Sequence, residues 1–169
     1  MGRIEEVPEK MKRKNDSGQA IVEIAISLSV FLLLAMGTVD FAIMFNHKLT
    51  LQNAVRQAGR YAITGQCQAG ANGTCSRLAG ITTTLEAASA GLINTNNFNS
   101  VVTISCTPGT DGGAGCPTNT GGPKDVVTIQ VAFPHRFLMP LIAPFFRNQP
   151  LMINVAATFT NEPFPPGQS

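Results

Sequence analysis

The sequence predicts an α+β chain: a long N-terminal membrane-spanning helix that continues into a small domain with a second helix and a roughly three- to four-stranded antiparallel sheet. Three observations predict it. Residues 20–45, AIVEIAISLSVFLLLAMGTVDFAIMF, carry only two charges, Glu23 and Asp40, and about 20 apolar residues in a helix cross a bilayer core of about 30 Å. Helical spacing then continues beyond the apolar run as far as Ile63. Further on, three stretches rich in β-branched residues alternate in polarity, as half-buried strands do. Helices first and strands afterwards suggest a small antiparallel sheet with helices on one side.

Residues 1–18 (MGRIEEVPEKMKRKNDSG) are polar, and Arg3, Lys10, Lys12, Arg13 and Lys14 all precede the apolar run. Basic residues beside a membrane span stay in the cytoplasm. Lys48, Arg56 and Arg60 on the other flank are fewer and more spread out, which favours an N-in, C-out orientation. This leader is expected to be flexible.

Glu23 is the anomaly of the apolar run, because an acid inside such a helix costs about 2.5–3.5 kcal/mol on insertion scales. One reading places it close enough to the cytoplasmic edge to reach headgroups. The other uses its spacing. Gly18-x-x-x-x-Glu23 straddles the junction of a basic stretch and an apolar helix, with Arg13 and Lys14 before it and Ile24 after it. This resembles the processing site of type IV pilin-like precursors, in which a membrane aspartyl peptidase cuts after the glycine. The resemblance implies Gln19 as a new N-terminus, and a Glu23 carboxylate that pairs with the terminal ammonium of a neighbouring subunit. Ala35-Met36-Gly37 has the small-x-small look of a secretory cleavage site, but an h-region is normally about 7–15 residues and this run continues well past that point. A plain uncleaved signal anchor is the other alternative.

Asp40, near the far end of the run, either snorkels to the interface or meets a partner helix, since acids in membrane helices are functional candidates by default. From Asn46 to Ile63 there is no proline, and Leu51, Val55, Ala58 and Ala62 recur on one stripe. Gly59 weakens that helix by about 1 kcal/mol relative to Ala, and Gly65 is a plausible stop. The helix is therefore expected over residues 19–64, transmembrane over about 20–45 and amphipathic beyond.

With Val39-Asp40-Phe41 closing the apolar run and Asn53-Ala54-Val55-Arg56-Gln57-Ala58-Gly59-Arg60-Tyr61-Ala62 following, residues 18–64 resemble the TadE-like family, minor pseudopilins of the bacterial tight-adherence (Tad/Flp) pilus and secretion system. Ile24 stands where the family often has Phe, and the later cysteine loops look like local additions. The resemblance implies a pilin-like, single-pass protein of the bacterial inner membrane with a periplasmic domain. It implies processing by a prepilin peptidase and a role in pilus assembly. The partners it implies are other Tad pseudopilins or pilin subunits, the inner-membrane pilus platform and the lipid bilayer. It gives Gly18 and Gln19 to processing, Glu23 to processing and subunit assembly, and Asp40 to assembly.

Residues 65–161 form the expected outer domain, and residues 162–169, with three prolines, a flexible or extended tail. All four cysteines lie here: Cys67 and Cys75 bracket QAGANGT, and Cys106 and Cys116 bracket TPGTDGGAG. Four cysteines allow three connectivities, and sequence does not choose between them. A structural zinc site is the rival, but its paired cysteines are usually two to four residues apart. In an oxidising compartment, local pairs Cys67–Cys75 and Cys106–Cys116 are favoured. Ser76 to Leu92 reads as a helix capped by Ser76, with Leu78, Ile81, Leu85, Ala88 and Leu92 on one face. Its Thr82-Thr83-Thr84 run is a poor helix former. The strands are expected at 101–106, 126–133 and 151–159. Between the last two, residues 136–147 are apolar yet broken by Pro140 and Pro144. They read as a lid over the sheet or as an exposed contact.

No catalytic constellation is present, so an enzyme is not expected. His47 and His135 are the only histidines, far apart in sequence and without a metal-ligand motif. No serine sits in a Gly-x-Ser-x-Gly elbow, and no phosphate loop or calcium loop occurs. Neither a metal nor a cofactor is called for. A net charge of +2, with no basic cluster outside the leader, gives no reason to expect nucleic acid. A different class of function fits the same elements: an uncleaved, signal-anchored periplasmic module that binds an extracellular ligand.

Overall fold

The computed structural model describes residues 12–69, 75–110, 112, 113, 115–138, 147 and 149–164, with side chains described for these except residues 12–17, 69 and 75. Helix α1 spans Lys12–Ile63. After it come β1 (Gln68–Ala69), β2 (Cys75–Ser76), α2 (Arg77–Ala88), α3 (Phe98–Val101), β3 (Val102–Thr107), β4 (Val126–His135) and β5 (Leu151–Thr160). The chain divides into two units, Met1–Phe41 and Ala42–Ser169.

In the first unit, α1 is long and apolar enough to cross a membrane. Its apolar side chains face outward, Ile21 being 68% and Phe31 65% exposed. This suits lipid and is costly in water. The helix begins at Lys12, so residues 12–18 are helical where the leader is expected to be flexible. Extending an existing helix is far cheaper than nucleating one, enough to carry it through the poor helix formers Asn15, Asp16, Ser17 and Gly18 to Lys12. The rest of the leader lies outside the described residues.

In the second unit, α1 buries Leu51, Ala54, Val55, Ala58 and Ala62 completely. It ends at Ile63, just before Gly65, whose φ of +66° glycine adopts without strain while its N–H donates to Ala62 C=O. Gly59 has a packing reason to be glycine: a Cβ there would run into the Phe159 ring. Helix α2 starts where Ser76 Oγ accepts the Ala79 N–H. The threonine run is tolerated because Thr82, Thr83 and Thr84 each donate to a carbonyl one turn back, a bond available within a helix. The helix stops at Ala88, short of Leu92, because Ala90 and Gly91 take φ of 52° and 84°. The short α3 has no hydrophobic period to announce it; Asn94 and Asn97 build its approach by accepting neighbouring N–H groups.

The main sheet has three antiparallel strands in the order β3-β4-β5. Register sets Val102, Val131 and Val155 side by side, then Ile104, Ile129 and Ala157, then Cys106, Val127 and Phe159. That face joins Leu51, Val55, Ile81 and Leu85 in one core. β4 runs on through Pro134 and His135, beyond the expected end at Phe133. β3 pairs only as far as Val131, so Pro134, which cannot donate, meets β5 on one side alone. A separate ladder, β1-β2, is too short for alternation to reveal. Of the apolar 136–147 segment, 139–146 lie outside the described residues, as do 165–169 of the tail.

Candidate functional site

On the first unit's helix, Gly18, Gln19 and Glu23 are all exposed. A side chain added at Gly18 would meet nothing within 4 Å. Glu23 lines a shallow groove with Ile24, Ser27, Leu28 and Phe31. Asp40 differs from every neighbour: it is 2% exposed and the one buried position among residues 18–50. Buried polar side chains are normally partnered, and Asp40 is not without an interaction.

In the second unit a disulfide joins Cys106 to Cys116 with Cα atoms 5.8 Å apart. Cys67 is also disulfide-bonded, and the Cys75 side chain lies outside the described residues. The Cys106–Cys116 loop is gathered around Asp125, a fully buried carboxylate. Oδ1 accepts the N–H groups of Gly109 and Gly115 at 3.3 and 3.2 Å. Oδ2 accepts those of Cys116 and Gly122 at 2.9 and 2.8 Å. Burial pushes this carboxyl up, but the bonds from Gly122, Cys116, Gly109 and Gly115 together outweigh it and hold it below its ordinary value. Cys106, Cys116 and Asp125 bring three ligand-type atoms within 4.8 Å. The two sulfurs are spent in the disulfide, so the cluster is a loop anchor rather than a metal centre. Asn161 closes the same loop by donating to Thr120 and Gly122 carbonyls and by receiving and giving backbone bonds with Lys124 and Asp125.

Arg77 is buried to 1% exposure and its guanidinium has no carboxylate beside it among the described residues. It donates to the carbonyls of Gly121 and Ala62 and lies 4.6 Å from the Phe164 ring centre, a cation–π contact. Burial lowers its pKa from the ordinary value, with Tyr61 acting against that shift. Arg77 thereby ties the end of α1, the 121 loop and the chain's last described residue into one knot.

The fold also unites the two histidines that sequence left 88 residues apart: His47 Nδ1 lies 3.2 Å from His135 Nδ1. Phe133 meets the His47 ring edge-on and Phe137 the His135 ring. One Nδ1–H donates to the other nitrogen, which welds α1 to the end of β4. Among the described residues no third metal ligand joins them. Sequence reasoning missed Asp125, Arg77, Asn161 and this pair. Only Asp125 carried a signal, as an acid set beside glycine-rich loops that offer unpaired N–H groups.

No curated protein and no solved structure matches the chain. The family model described as TadE-like protein matches residues 18–60, which include Gly18, Gln19, Glu23 and Asp40, and over that segment the chain is similar to TadE-like proteins.

Proposed function

We propose that the chain is a minor pseudopilin acting in assembly of a Tad/Flp type IVb pilus or secretion apparatus, matured by prepilin peptidase cleavage after Gly18. The observation that carries this reading is Glu23: an exposed carboxylate on an exposed apolar helix, inside the segment that matches the family. On a helix Gln19 and Glu23 are neighbours one turn apart. Cleavage after Gly18 would therefore set a new ammonium one helical turn, about 6 Å, from the level of the carboxylate, so that an axial stagger of about one turn brings the ammonium of one subunit level with the Glu23 of its neighbour. Either ion alone is costly in hydrocarbon. Pairing between adjacent subunits offsets that cost and drives lateral docking as subunits leave the bilayer.

Gly18 supports processing in a second way. It lies inside α1, and glycine weakens a helix by about 1 kcal/mol relative to Ala, so the peptidase meets the rod where it unwinds most easily. The basic leader keeps the N-terminus cytoplasmic, and α1 serves as a single-pass anchor in the bacterial inner membrane. The 65–161 domain then stands in the periplasm, where a disulfide persists. Its work is assembly rather than catalysis, with the prepilin peptidase, other Tad pseudopilins or pilins and the inner-membrane platform as partners.

N-terminal sequencing of the membrane-extracted protein tests cleavage: Gln19 is expected at the terminus. An intact leader refutes it and leaves the signal-anchored ligand-binding module. Glu23→Ala tests the ion pair separately, with normal cleavage expected but little of the subunit recovered in the assembled apparatus.

A further inference from the structure

Past the apolar run, the outward face of α1 carries Lys48, Leu49, Gln52, Asn53, Arg56, Gln57 and Arg60, all exposed except the half-buried Gln52. Lys48, Gln52, Arg56 and Arg60 follow one another every four residues, a single ridge of the kind that packs into a groove on another helix. At 1.5 Å per residue the ridge is about 18 Å long. It holds three cations and no acid. Among the described residues neither Lys48, Arg56 nor Arg60 has an ion-pair or hydrogen-bond partner. Arg60 has a local reason to be basic, since it lies in the helix's last turn, where a cation suits the helix dipole. Arg56 has none, and it faces Arg60 one turn away as a like charge, which weakens a helix.

We propose that this ridge docks a helical segment of a protein partner that presents carboxylates at the same four-residue spacing. Charge complementarity selects an acidic partner. A protein is favoured over an anionic bilayer for two reasons. The opposite face of this helix, Leu51, Ala54, Val55, Ala58 and Ala62, is wholly consumed by the domain's own core, and Leu49 is the one exposed large apolar side chain from Lys48 to Arg60, too little to enter a headgroup layer as interfacial helices do. Two of the three cations are guanidinium groups, whose forks match carboxylates in pairs, and amides at Gln52, Asn53 and Gln57 add directional bonds. The inference does not depend on cleavage after Gly18.

The test uses the full chain in nanodiscs of zwitterionic lipid. The probe is a fluorescent helical peptide with glutamates every four residues, and its control is a peptide of equal charge with the glutamates shuffled. The matched peptide is expected to bind in a salt-sensitive manner, about tenfold tighter than the shuffled one. Binding should weaken about tenfold in Arg56→Gln/Arg60→Gln, as loss of charge-assisted contacts requires. Both positions are exposed, so circular dichroism of the variant should match wild type. Absence of binding, equal binding of the shuffled peptide, or undiminished binding to the variant would overturn the proposal. So would loss of binding when the nanodiscs contain phosphatidylglycerol, which would assign the ridge to the membrane.

Discussion

Asp125→Asn isolates what holds the Cys106–Cys116 loop in place. The carboxylate is fully buried and accepts two N–H groups on each oxygen. An asparagine of the same shape keeps one acceptor oxygen. It should turn that oxygen to the short bonds from Cys116 and Gly122, at 2.9 and 2.8 Å, and so strand the N–H groups of Gly109 and Gly115. Gly109 is half-buried and Gly115 exposed, so water takes over part of what these two donors lose, while the surviving bonds lose their ionic strengthening. The expected loss is roughly 1.5–3 kcal/mol. The acid dependence carries its own sign. The folded carboxyl is held below its ordinary value, against about 3.9 in the unfolded chain. Its contribution is therefore complete above about pH 4–5 and disappears as pH falls through the depressed folded value. Urea unfolding of the oxidised, detergent-solubilised chain, followed by circular dichroism from pH 7 to pH 3, measures both effects. Wild type should lose stability below about pH 4, and the variant should start lower and lack that part of the slope. A variant within about 1 kcal/mol of wild type at pH 7, or one with the full acid slope, would refute this account of the loop.

Three further outcomes follow from the packing. Replacing Cys106 and Cys116 together by serine opens a loop with a sequence separation of 10. It should cost about 3 kcal/mol by loop-closure entropy, and less when Asp125→Asn is already present, because both order the same loop; a double-mutant cycle by urea denaturation reads the coupling. Gly59→Ala should lower stability by about 1–3 kcal/mol in thermal melts, since its Cβ enters the Phe159 ring. A gain near the 1 kcal/mol that helix propensity alone allows would show that Phe159 does not pack there. Arg77→Lys keeps the charge but loses the planar stack on Phe164 and one of two carbonyl bonds. It should cost about 1–3 kcal/mol in the same melts.

The elements that sequence announces are those with a period. The apolar run, the amphipathic turns to Ile63, Ser76 as a cap and the three long strands all follow from spacings of 3.6 or 2 residues. The structure places them within a few residues of expectation. What stayed hidden has no period. Arg77 reads as a surface cation opening a helix, and nothing local announces that Phe164, 87 residues later, will cover it. Asn161 looks like the end of a strand. The His47–His135 contact needs the register of β4 against α1, which neither segment encodes alone. The helical start at Lys12 ran against the polar character of the leader, because cheap propagation outweighed it.

Helix α1 carries three sets of residues with three separate roles, and the family match over residues 18–60 takes in most of them. Residues 20–45 need only be apolar, apart from Glu23 and Asp40, for α1 to be able to cross a membrane. The domain core sets Leu51, Ala54, Val55, Ala58 and Ala62, whose small and branched side chains allow close approach. A partner would set the ridge from Lys48 to Arg60. The sheet and loops beyond have a looser task, to cover that core face with apolar groups, and many sequences do so once loops are pinned by devices such as the Asp125 anchor. A graft follows from this separation of roles. Were residues 64–161 exchanged for another α+β cover while α1 was kept whole, docking through the ridge should survive although the domain's own stability would be set anew.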